Sequence, residues 1–176
     1  MTLLYVLLAG CAAPAKVAAP EDVRPDRVSC GLSEPRLIVG DTAPPMLVEQ
    51  VFQGEPAYVD GGVTVLVFFE TWSPLVPDAM RRVEALHRRW AEVGVGVVGL
   101  THLSRDPSPV PVHAMIRELG LTFPVAQDIG PGGLSEAAET RGIPGAAAVY
   151  DGRFVWRGHP AWLFDEDMEA WSTCWP

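Results

Sequence analysis

Residues Val63 to Phe69 run Val-Thr-Val-Leu-Val-Phe-Phe, bounded by Gly61-Gly62 on one side and Glu70 on the other. An apolar run without alternation is the pattern of a strand covered on both faces. After a short loop, Met80, Val83, Leu86, Trp90 and Val93 recur at helical spacing, with Arg81, Arg82, Glu84, Arg88 and Arg89 on the opposite side. Gly94 ends that helix, and Val95 to Leu100 supply a second buried strand. Strand, helix and strand in this order predict a right-handed parallel crossover, which restricts the chain to the α/β class.

The remaining elements fit one layered domain. A proline-interrupted loop, Arg105 to Pro111, leads to a second helix over about Val112–Leu119, closed by Gly120. Phe123–Ala126 reads as a short strand, Asp128–Gly133 as a turn and Leu134–Thr140 as a brief helix. Gly145–Tyr150 and Arg153–Arg157 flank Asp151-Gly152, the strongest hairpin signal in the chain. A last helix over about Asp165–Trp171 can bury Phe164, Met168 and Trp171.

At 176 residues, 48% apolar and 20% charged, the chain suits a single core with tails. Its net charge of −9 excludes nucleic acid as the expected partner, because neutralising phosphates takes clustered Lys and Arg.

The loop after the first strand is Glu70-Thr71-Trp72-Ser73-Pro74-Leu75-Val76. It resembles the active-site loop of thioredoxin-like proteins of the TlpA/redoxin branch, where Phe-Trp-Ala-Thr-Trp-Cys-Pro-Pro-Cys joins a strand to a helix. Thr71-Trp72 and Pro74 match, whereas Ser73 and Val76 stand at the two cysteine positions. Three further anchors fall in the same order: Val39-Gly40-Asp41-Thr42-Ala43-Pro44, Leu119-Gly120-Leu121-Thr122-Phe123-Pro124-Val125, and Arg141-Gly142-Ile143-Pro144 followed by Val149-Tyr150-Asp151-Gly152-Arg153. The resemblance covers about residues 38 to 160. It implies a thioredoxin-like three-layer α/β sandwich, a mixed central sheet with flanking helices. It also implies a cis bond at Ile143-Pro144, beside which an extended substrate segment adds to the backbone in active relatives.

The resemblance implies thiol-disulfide exchange, and the residues do not supply it. Exchange needs an attacking thiolate and a resolving thiol, and neither the alcohol of Ser73 nor Val76 can serve. The peroxidase spacing Thr-x-x-Cys counts from Thr71 onto Pro74, and the acidic residue some relatives place three after the second cysteine falls on Ala79. At a helix entrance Ser73 is expected to be an N-cap rather than a hydrolase nucleophile. Trp72 has two readings, a binding-surface aromatic or a core residue. His87, His102, His113 and His159 fall in no ligand spacing and are read as surface or loop residues, so no metal or other cofactor is expected.

The N-terminus, Met1 to Cys11, is a short apolar run ending Leu8-Ala9-Gly10-Cys11. It is shorter than the about 20 residues that span a bilayer and has the build of a signal peptide. Leu8 to Cys11 resembles a bacterial lipobox, which implies lipidation at Cys11; a plain apolar tail is the alternative. Residues 1–11 are thus read as leader, 12–37 as an Ala/Pro-rich tether and 38–176 as the domain. With Cys11 assigned to lipid, Cys30 and Cys174 remain, either as a disulfide or as two unrelated thiols.

The expectation is therefore a thioredoxin-like domain of the bacterial cell envelope, redox-inactive at the usual site, that binds an envelope protein or extended peptide through Trp72, Ser73, Pro74, Ile143 and Pro144. The alternative is a thiol-disulfide oxidoreductase working through Cys30 or Cys174. Cys30 has Arg24, Arg27 and Arg36 near it in sequence to favour a thiolate.

Overall fold

The computed structural model describes residues 41–174, with side chains through Ser172. Cys11, Cys30, the leader and tether assigned to 1–37, Val39-Gly40 and the side chain of Cys174 lie outside the described residues. The elements are β1 (Val48–Gln53), β2 (Val63–Phe68), α1 (Val76–Trp90), β3 (Val95–Thr101), α2 (Val110–Leu119), β4 (Val125–Asp128), α3 (Leu134–Ala137), β5 (Gly145–Tyr150), β6 (Arg153–Gly158) and α4 (Asp165–Cys174).

The strands form a six-stranded mixed sheet in the order β1-β4-β3-β2-β5-β6. The crossover expected from the sequence is present: β2 and β3 pair in parallel from Val63 with Val95 to Phe68 with Leu100. β4 extends the parallel set beside β3, while β5 runs antiparallel to β2, and β1 and β6 close the two edges antiparallel to their neighbours.

Side-chain alternation along β2 sorts the core into two layers. Val63, Val65, Val67 and Phe69 face Met80, Val83 and Leu86 of α1, Val112 and Ile116 of α2, and Met168 and Trp171 of α4. Leu66 and Phe68 face the other way, onto Leu134 and Ala138 at α3 and Ala43 of the entry segment. A strand flanked by strands on both sides and covered on both faces needs no polar alternation, which is why the run from Val63 reads as unbroken.

Glycine ends the 3₁₀ turn that follows α1 and ends α2 itself. Gly94 (φ +87°) and Gly120 (φ +62°) adopt the left-handed conformation that glycine enters without a Cβ penalty. At the hairpin, Asp151 (φ +46°) and Gly152 (φ +68°) are both left-handed, as a two-residue type I′ turn requires.

The structure corrects several sequence readings. β1 was not expected at all: Val48-Glu-Gln-Val-Phe-Gln53 is an edge strand with exposed Glu49, Gln50 and Val51, and bulges break its pairing with β4. β4 begins at Val125 rather than Phe123, because Phe123 turns into the core against Gly99 and Pro124 offers its carbonyl to Gly99 N–H. The helix expected over Leu134–Thr140 stops at Ala137, with Glu139 at φ +48°. Val93 is exposed, since residues 91–93 tighten into a 3₁₀ turn and lose the α-helical period.

Glu84, assigned by periodicity to the solvent face of α1, is buried. Its carboxylate accepts from Thr122 N–H and Thr122 Oγ1, each at 2.8 Å, and from Arg88 Nε at 2.5 Å. Arg88 also donates Nη2 to Gly120 O. The pair therefore ties α1 to the turn between α2 and β4. Burial alone would raise the Glu84 pKa, but the Thr122 and Arg88 hydrogen bonds outweigh it and hold the group below its ordinary value. His87, read as a surface histidine, packs edge-on against Phe123 with ring centroids 5.8 Å apart. Burial there, with Arg88 adding to it against the pull of Glu84, lowers its pKa.

Candidate functional site

β2, β3, β4 and β6 all end at one edge of the sheet and β5 begins there, the edge at which ligands of parallel α/β sheets bind. The loops brought to this edge are Glu70–Leu75 after β2, His102–Arg105 after β3, Arg141–Pro144 before β5 and Gly158–Trp162 after β6. The Ile143–Pro144 peptide bond is cis.

Ser73 is 5% exposed, and its hydroxyl donates to Ile143 O across a long 3.4 Å contact. The serine thus meets the carbonyl just before Pro144, so two segments 70 residues apart in sequence are joined at this point. It does not cap α1: the N-cap position is Leu75, without a side-chain cap bond, and Ser73 instead accepts Val76 N–H through its own carbonyl at 3.2 Å. The start of α1 has fewer donors left to satisfy, because Pro77 has no N–H and Val76 N–H is taken by Ser73 O. Val76, the first residue of α1, is fully buried.

Trp72 lies at the surface, 41% exposed, which resolves the two readings left by the sequence in favour of a surface aromatic. Its Nε1 donates to Ser104 Oγ at 3.2 Å, and the Arg105 guanidinium sits 3.6 Å from the ring centroid in a cation–π stack. Leu75 beside it is also exposed.

The residue that orders this arrangement is Glu70, which sequence reasoning did not single out. It is 4% exposed, and its carboxylate accepts from His102 N–H at 3.2 Å and from Ser104 N–H at 3.2 Å. Those two amides flank Leu103, whose φ of +54° is costly for a branched side chain. Glu70 thus offsets a left-handed leucine and places Ser104, which in turn fixes the Trp72 indole. A signal was available, since Glu70 replaces a small apolar residue of the resembling loop at the end of a buried strand. Glu70→Gln is expected to lose about 1–3 kcal/mol of stability and to alter Trp72 emission. Urea unfolding and fluorescence, with Trp72→Phe as the reference for that one indole, check it; an unchanged Trp72 spectrum would count against the positioning role.

The histidines share no common site. His102 Nε2 lies 2.5 Å from Ser135 Oγ and 3.6 Å from Asp128 Oδ2, a juxtaposition no local spacing revealed. It is not a nucleophile relay, because both contacts fall on one ring nitrogen. Asp128 meanwhile accepts Leu134 N–H and Ser135 N–H at the start of α3. His102 pins α3 to the ends of β3 and β4. His113 stacks edge-on with Phe52, and His159 Nδ1 accepts from Ala161 N–H. Among the described residues no group of three or more His, Cys, Asp or Glu could hold a metal ion, and no helix is long and apolar enough to cross a membrane.

No protein-family model matches the chain, and no curated protein matches it significantly. Solved structures do match. A thiol-disulfide isomerase from Corynebacterium glutamicum is 24% identical, with a TM-score of 0.56 over 68% of this chain and 87% of that one. A thiol:disulfide interchange protein of the thioredoxin family from Chlorobium tepidum is 19% identical, with a TM-score of 0.60 over 80% and 99%. StoA from Bacillus subtilis is 19% identical, with a TM-score of 0.54 over 68% and 98%. The layered sheet, its strand order and these matches together establish that the chain has a thioredoxin-like fold.

Proposed function

We propose that this is a redox-inactive thioredoxin-like domain of the bacterial envelope that binds an extended segment of another envelope protein along the edge formed by Trp72, Ser73, Pro74, Ile143 and Pro144. The observation that carries the reading is the pair Ser73 and Val76. Both occupy the positions where the resemblance puts cysteine, and Ser73 still contacts the backbone before Pro144 while Trp72 stays exposed. Binding by main-chain addition beside a proline loop needs no sulfur, so a recognition surface can persist without exchange chemistry.

An insulin reduction assay on the full chain and on the Ser73→Cys/Val76→Cys variant tests it. Inactivity of the unmodified chain with activity in the variant supports the reading; activity of the unmodified chain would overturn it in favour of Cys30 or Cys174. The envelope location rests on Leu8-Ala9-Gly10-Cys11, which would carry the lipid anchor. Incorporation of labelled palmitate that disappears in Cys11→Ser is the expected result, and unlabelled protein would remove the anchor.

A further inference from the structure

Pro144 also lines an open groove of about 550 Å³ between the Glu139–Ala146 segment and the end of β6. Its charge is the reverse of the chain's. The whole sequence carries −9, yet the groove is lined by two guanidinium groups, Arg141 and Arg157, against one carboxylate, Glu139. That carboxylate is already committed: Arg157 Nη1 donates to Glu139 at 2.6 Å. Arg157 Nε is buried with no hydrogen-bond partner, so Glu139 does not fully match the guanidinium. Arg141 is exposed and has no carboxylate within ion-pair distance among the described residues, although its charge also reaches Glu139 from farther off. Trp162, 52% exposed and tilted against His159, closes one wall with apolar surface.

We propose that this groove selects an extended peptide segment carrying Asp or Glu side chains, with Arg141 the principal cation, Arg157 supporting it and Trp162 covering a neighbouring apolar side chain. The inference rests on the docking reading above and adds the chemistry of the partner. Charge-assisted hydrogen bonds to a guanidinium are the strong ones. Lysine-bearing segments would meet like charge in the same groove, which gives discrimination as well as attraction.

The probes are two blocked peptides, Gly-Val-Glu-Val-Glu-Val-Gly and its counterpart with lysine at both glutamates, titrated into the isotope-labelled full chain. Amide shifts and tryptophan emission are read at low and at raised salt. The glutamate peptide is expected to bind about tenfold more tightly, to shift the Arg141–Ala146 and Gly158–Trp162 amides, and to lose that preference in Arg141→Gln and with salt. Equal shifts from both peptides would sink the acidic selectivity while leaving docking at this edge intact. Shifts from neither would sink both. A glutamate preference that survives Arg141→Gln places the carboxylate elsewhere and overturns the assignment.

Discussion

The Ser73→Cys/Val76→Cys variant is expected to fold, to close a disulfide between the two new thiols and to reduce insulin where the unmodified chain does not. Val76 N–H donates to Ser73 O at 3.2 Å, so residues 73–76 form one tight turn. Such a turn brings its first and last Cα within about 7 Å, near the upper end of the range a disulfide spans. The first position precedes α1, where the helix N-terminus favours an anion; lowering a thiol pKa by about one unit from 8.5 raises its thiolate fraction at neutral pH severalfold. Ser73 is nearly isosteric with cysteine and already buried. Replacing fully buried Val76 is a small core change, expected to cost about 1 kcal/mol. Thiol counting before and after oxidation, with insulin turbidity, reads the outcome. A variant that forms the disulfide but leaves insulin intact would mean that the loop no longer presents its sulfur to a partner. A variant that folds without forming it would mean that the turn is not the exchange geometry.

Legibility from sequence followed what each residue answers to. The β2–α1–β3 crossover was readable because a doubly covered strand and a one-sided helix leave opposite hydrophobic patterns, and Gly94, Gly120 and Asp151-Gly152 mark backbone conformations few other residues adopt. β1 was not, because an edge strand satisfied by one neighbour and bulged against it needs no apolar period. Glu84 was misplaced for a related reason: helical periodicity counts it as polar and therefore outward, whereas Thr122, 38 residues on, supplies the hydrogen bonds that let it turn inward. The candidate site divides the same way. Trp72, Ser73 and Pro144 were named from a local motif. Glu70, Ser104 and Arg105 act through contacts 32 to 34 residues apart that no spacing rule encodes.

That inward Glu84 carries the second large effect. Glu84→Ala leaves Thr122 N–H without its acceptor and removes the carboxylate partner of Arg88, which keeps only its bond to Gly120 O, in a place where α1, α2 and β4 meet. The expected loss is about 3 kcal/mol, and about half that for Glu84→Gln, which keeps the volume and one acceptor oxygen. The pH dependence follows from the two lowered pKa values on this turn of α1. Glu84 titrates below its ordinary 4.5 in the folded chain, so its contribution is complete above 4.5 and is lost as pH falls through the folded value. His87 is held neutral by burial below its ordinary 6.5. The unfolded chain therefore takes up that proton first as pH drops under 6.5, and stability declines with it. The unmodified chain should accordingly weaken in two stages on acidification, with His87→Gln flattening the upper and Glu84→Gln reducing the lower, to which Asp165 and Glu139, also held below their ordinary values, contribute as well. Urea midpoints collected across this range decide it. A Glu84→Ala variant within about 0.5 kcal/mol of the unmodified chain would show that the Glu84–Thr122–Arg88 cluster does not hold α1 to the sheet.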